Sequence, residues 1–72
     1  MQAAAASDDI IESADALKRA GDVMRAYGRA MEAGGEVERQ AGRYTAVAGL
    51  ELCAAGELLG SVASILKHGS KS

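Results

Sequence analysis

Residues 21–56 read GDVMRAYGRAMEAGGEVERQAGRYTAVAGLELCAAG. Every seventh residue of this stretch is glycine: Gly21, Gly28, Gly35, Gly42, Gly49 and Gly56. Small residues continue the row outward, Ser7 and Ala14 before it and Ala63 and Ser70 after it. Seven residues is close to two helical turns, so the row draws one nearly straight line along a helix. An interior glycine costs a helix about 1 kcal/mol relative to alanine. A whole line of them needs an offsetting gain, and close approach of another helix's backbone supplies one.

The rest of the chain favours helix. Proline is absent, and Ala, Leu, Glu and Arg are abundant. Ser7 is a good N-cap, with Asp8, Asp9 and Glu12 in the turns behind it, where carboxylates meet the positive helix end. Ile10, Leu17, Met24 and Met31 then recur every seven residues. Gly34-Gly35 is the one break, able to supply a residue of positive φ and end the first helix. Glu36 and Glu38 open the second helix. Leu52, Leu59 and Leu66 carry its row of large residues, and Lys67, His68 and Lys71 stand at its C-terminal end before and after Gly69. One unbroken helix is the competing picture, but its large row would fall on Glu38 and Thr45, where the apolar line lapses.

The expected fold is all-α: an antiparallel two-helix hairpin with helices at about 8–33 and 36–68 and a turn at Gly34-Gly35. A single domain covers 7–69, between a disordered 1–6 and a frayed 70–72. Folding at Gly35 sets Gly28 opposite Gly42, Gly21 opposite Gly49 and Ala14 opposite Gly56, with Ala63 ending the row. That pattern resembles the close-packed antiparallel arrangement called an Alacoil, in which axes approach to the low end of the usual range of about 8–10 Å or below it. The same fold brings Glu51 near Lys18 or Arg19, and Glu51 with Arg19 is the candidate cross-helix ion pair. Tyr27 falls near Arg43, within reach of a cation–π contact.

A chain of 72 residues has little core of its own, and this one has no Phe and no Trp, with Tyr27 and Tyr44 its only aromatic residues. Burying alanine and glycine removes little apolar area, at roughly 25 cal/mol per Å². Small chains of this kind gain stability from a partner. The second helix is apolar around most of its circumference, which marks burial on more than one side. Val47, Leu50, Cys53, Ala54 and Leu58 form its candidate partner interface. Gly56 and Gly60 add a GxxxG step that permits a second close crossing.

No residue set identifies a reaction. Cys53 is a lone cysteine, so no intrachain disulfide forms. It sits fifteen residues from His68 on a different helix face, which disfavours a nucleophile–base pair. His68 has no second histidine or nearby cysteine to complete a metal site. Asp8, Asp9, Glu12 and Asp15 lack calcium-loop spacing. The expectation is therefore no catalytic residue, no metal, no cofactor and no small-molecule substrate. A net charge of −2 with interleaved signs disfavours nucleic acid, which wants a basic stripe. Residues 1–6 are too short and uncharged for a cleavable secretory signal, which makes the cytoplasm the default compartment and leaves signal-less export open.

The leading functional expectation is a non-enzymatic structural or interaction module, a small hairpin that associates with itself and with a second protein. A bacterial assembly subunit, adaptor, chaperone-like partner or filament subunit fits that description. The alternative is a membrane-active peptide. Gly34-Gly35 after Met31 resembles the cleavage point of double-glycine bacteriocin precursors, and Ala46 to Leu66 is long enough to span a bilayer. Glu51 and Glu57 oppose insertion. A weaker alternative is an RNA-binding bundle resembling Rop, another short antiparallel hairpin with small core residues.

Overall fold

The computed structural model describes residues 3–69, with side chains from Ala6 onward. The chain is two α-helices packed against each other, α1 over Ala3–Glu32 and α2 over Glu36–Gly69. Their 30 and 34 residues correspond to about 45 and 51 Å of helix. The Cα positions span 56 × 14 × 13 Å, so the molecule is a two-helix rod with no third layer.

The first helix starts earlier than its sequence predicts. Residues 3–6 are helical, ahead of the start expected at about residue 8. Alanine is the best helix former, and four in a row extend the helix past any cap. Ser7 is therefore not an N-cap. It lies inside α1 and is fully buried. No acidic residue falls in the first turn of α1, because Asp8, Asp9 and Glu12 sit further along it. Residues 1, 2 and 70–72, where fraying is also expected, lie outside the described residues.

The turn also differs in mechanism. No described glycine has positive φ. Instead α1 tightens at its end, where the amides of Ala33 and Gly34 donate to the carbonyls of Ala30 and Met31 at 3.3 and 3.0 Å. Such three-residue bonds satisfy the last carbonyls without a left-handed residue. Gly35 then starts α2 as its cap, its carbonyl accepting from the Arg39 amide at 2.8 Å. Glu36 and Glu38 occupy the first turn of α2, and Lys67 and His68 its last, which complements the helix dipole at both ends.

The buried set consists of small residues. Ala14 is 2% exposed and Ala63 0%. Gly21, Gly28, Gly42, Gly49 and Gly56 are all buried. A Cβ on Gly28 would lie 2.6 Å from the Gly42 carbonyl oxygen and 2.7 Å from the Ala46 amide nitrogen. One on Gly21 would stand 2.6 Å from the Gly49 oxygen, and one on Gly49 2.6 Å from the Gly21 oxygen. On Gly56 it would meet the Ala14 oxygen at 2.8 Å. The obstacles are backbone atoms of the other helix, which cannot swing aside.

Candidate interaction surface

These contacts fix what lies on each side of the rod. Around the Gly49 and Gly56 positions, would-be Cβ atoms meet the Arg25 and Lys18 side chains at 2.8 Å each. Around Gly21 the neighbour is Cys53 Sγ at 2.6 Å. Lys18, Arg25, Ala46 and Cys53 all stand four residues after a member of the row, so this position from both helices shares one edge. Asp8 and Lys67 share it too, joined by an ion pair of 3.8 Å between exposed side chains. An exposed pair of this kind contributes at most about 1 kcal/mol.

Extending that assignment around each helix divides the surface in two. Positions one, four and five after each row member carry most of the charge, with Asp15, Lys18, Arg19, Asp22, Arg25 and Arg29 on α1 and Glu36, Arg39, Arg43 and Glu57 on α2, although Ala46, Val47, Leu50, Cys53 and Ala54 make the middle of α2 apolar on this side too. Positions two, three and six hold Ile10, Leu17, Val23, Met24, Tyr27 and Met31 on α1. On α2 they hold Tyr44, Leu52, Leu58, Leu59, Val62, Ile65 and Leu66. Only Asp9, Glu38 and Glu51 carry charge on this second side. The rod has a charged face and a broad apolar face.

The apolar face is open. Tyr44, Leu58 and Ile65 are 70% exposed or slightly more, and Val23, Tyr27 and Val62 are also exposed. Its inner rows, including Leu17, Leu52 and Leu59, are half-covered by the opposing helix. Thr45 interrupts the large row of α2, but its hydroxyl donates to the Ala41 carbonyl at 2.8 Å and so needs no further partner.

Several expected positions change meaning. Of the five residues Val47, Leu50, Cys53, Ala54 and Leu58, Cys53 is half-buried against α1 and is not on a free outer surface. Leu58 lies on the apolar face, while exposed Val47 and Leu50 lie on the charged side. Glu51 and Arg19 are level with each other, yet no ion pair joins them, and both are exposed. Each stands two residues outward from the buried row, about 200° around its helix, so the two side chains point to opposite outer flanks. Tyr27 and Arg43 are likewise level but on opposite faces, which removes the cation–π contact. No atom lies within 4 Å of a would-be Cβ on Gly60, so the GxxxG step makes no second crossing within this chain.

Cys53 belongs to a small polar cluster that sequence spacing does not announce. Its thiol reaches the Lys18 carbonyl at 3.7 Å and Asp22 Oδ1 at 3.5 Å. Partial burial pushes the thiol pKa up from its ordinary 9.0, the Asp22 hydrogen bond and charge push it further, and Arg25 works against them. A raised pKa keeps the sulfur protonated and unreactive at neutral pH. Among the described residues, no three His, Cys, Asp or Glu side chains gather closely enough to hold a metal ion. A shallow polar groove lies along Glu36, Arg39, Gln40 and Arg43 at the start of α2. α2 is also long and apolar enough to cross a bilayer, by length and composition.

No protein family, curated protein or solved structure shows significant similarity to this chain.

Proposed function

We propose that the chain is a non-enzymatic structural and interaction module: an antiparallel, Alacoil-type hairpin that self-associates and serves as an assembly subunit, adaptor or chaperone-like partner. The observation that carries this reading is an inversion of size. Glycine and alanine occupy the contact between the helices, while Leu58, Ile65 and Tyr44 remain in solvent. The close contact makes a rigid rod by bringing backbones together, where many weak dispersion contacts add up. The exposed large residues are then free to drive association.

Sedimentation at micromolar concentration tests the proposal. An assembly heavier than one chain is expected, and a monomer at every concentration would refute it.

A second reading rests on the apolar length of α2: a membrane-active helix that leaves α1 to enter lipid. Glu51 and Glu57 within that stretch raise its cost. Co-sedimentation of the full chain with vesicles, accompanied by loss of the hairpin, would favour it over association in water.

A further inference from the structure

We propose that the hairpin opens at its turn and pairs with a second copy of itself, α1 of each chain lying against α2 of the other in one long antiparallel rod. The proposal rests on the self-association reading above and adds the contact that makes the assembly. Gly35 carries it. Nothing in the hairpin calls for glycine at this position: its φ is not positive, and no atom lies within 4 Å of a would-be Cβ. Serine would cap α2 somewhat better. Yet Gly35 keeps the seven-residue spacing of the buried row and stands at its midpoint. Gly28 and Gly42, Gly21 and Gly49, Ala14 and Gly56, and Ser7 and Ala63 lie at equal distances on either side of it. The inner three of these couples meet across the seam of the hairpin, while the turn leaves Gly35 itself out.

Two straight chains laid antiparallel about Gly35 use the whole row. Gly35 of one copy then meets Gly35 of the other on the two-fold axis. A Cβ there would face a helix backbone, as one on Gly28 faces the Gly42 oxygen at 2.6 Å. That contact supplies the reason for glycine that the hairpin lacks.

The connection needs little rearrangement to straighten. Only residues 33–35 separate the helices. Ala33 and Gly34 already donate to carbonyls three residues back, and the Gly35 carbonyl already accepts from the Arg39 amide four residues on. Continuing the helix moves the first two bonds back by one carbonyl, and no described residue has to leave the left-handed region. A single chain that opens loses its seam, so the hairpin is the form of the isolated molecule. Two open chains regain every seam contact and add one at Gly35. Exchange of an identical element is a low-cost route to a dimer for this reason. Charge also fits. Glu32 and Arg39 each stand four residues after a row member, so Glu32 of one copy comes level with Arg39 of the other on the same edge, twice.

The unmodified chain, refolded from urea at rising concentration, tests the idea by sedimentation and small-angle X-ray scattering. A species of twice 7.3 kDa is expected. Its rod should run about 100 Å over residues 3–69, against 56 Å for the hairpin. Nitroxide labels on C53A/S13C/S61C, diluted into excess unmodified chain, report the path of one molecule by pulsed EPR. Ser13 and Ser61 are exposed and nearly level in the hairpin, which puts the labels within about 30 Å of each other, whereas in the open chain they stand about 70 Å apart. G35S sets a Cβ on the two-fold axis and improves the hairpin's cap, so it should raise the dissociation constant of the pair at least about tenfold. Inserting Gly-Ser between Gly34 and Gly35 should do the same. It turns the two halves of the row to opposite sides of an unbroken helix, while the hairpin gains only a longer loop.

Hairpins joined side by side would behave differently, because Gly35 stands at the tip of each rod. A two-chain species about 56 Å long with its labels close together overturns the exchange and leaves self-association standing. So does a dissociation constant that G35S leaves unchanged, or an assembly of more than two chains. A monomer at every concentration removes both proposals.

Discussion

The two sides of α2 invert the usual order of a protein interior. The side against α1 is Gly42, Gly49, Gly56 and Ala63, all buried. The outer side carries Tyr44, Leu50, Leu58 and Ile65, all at least half exposed. In most folds a leucine is buried because its removal from water is worth about 1.5–3 kcal/mol. Here that gain is left unrealised within the chain, and the interior is made of main chain against main chain. Close backbone approach shapes the hairpin, while the large apolar side chains of the outer side stay in solvent.

The sharpest way to break this contrast is to put bulk on the inner side. Gly49→Leu would drive its Cβ to within 2.6 Å of the Gly21 carbonyl and 2.9 Å of the Arg25 amide nitrogen, and the rest of the side chain has nowhere to go. Destabilisation of about 3 kcal/mol or more is expected, read from urea unfolding followed by circular dichroism. A neutral or stabilised variant would mean that the helices do not touch along this line.

The next test uses a glycine only one turn from the inner row. Gly60 is four residues past Gly56, yet open space surrounds its would-be Cβ and its φ is negative. Gly60→Ala should therefore stabilise by about 1 kcal/mol, with the opposite sign to Gly49→Leu. It lies off the apolar face, so the gain should not depend on protein concentration. A loss of stability would place an undiscovered contact at this edge.

Gly35→Ser should have a smaller effect. Gly35 caps α2 with ordinary φ, and nothing lies within 4 Å of its would-be Cβ. A serine there can accept from the free amides of the first turn, worth a few tenths of a kcal/mol. A rise in Tm is the expected result, and a fall would indicate that the turn depends on glycine after all.

The smallest expected effect concerns Cys53. Its folded-state pKa is raised above 9.0, so the fold favours the neutral thiol. That contribution is complete below pH 9.0 and is lost as pH climbs through the raised value. Melts across the alkaline range should show a steeper decline for the unmodified chain than for Cys53→Ala. Parallel curves would mean that neither its partial burial nor Asp22 raises the thiol pKa.

Two helices with a break at Gly34-Gly35 are legible in the sequence, because the absence of proline, the heptad of Ile10, Leu17, Met24 and Met31, and the acidic start at Glu36 agree with one another. The true start of α1 is not legible, since Ser7 satisfies every local rule for a cap. The helix running back to Ala3 and the burial of Ser7 show that it is an interior residue. The turn is misread for a related reason: glycine permits positive φ but does not demand it. The candidate surface is only partly legible. Reading α2 alone shows too much apolar circumference, but the division into two faces depends on which edge of α1 lies beside which edge of α2. Val47 and Leu58 look equivalent on one helix and fall on opposite sides of the pair. Counting charge by heptad position on both helices at once is the signal that would have separated them.

The register of the hairpin has a consequence beyond a single molecule. Gly35 lies on the same seven-residue beat as Gly28 and Gly42, and its backbone is free of left-handed geometry. Straightening the turn would continue one helix into the next without loss of phase. Two chains opened in this way could exchange their second halves and rebuild every Gly28–Gly42 and Gly21–Gly49 contact between molecules. Such a swapped pair would have twice the mass of the hairpin, and it would accumulate with the history of the sample rather than with its concentration alone.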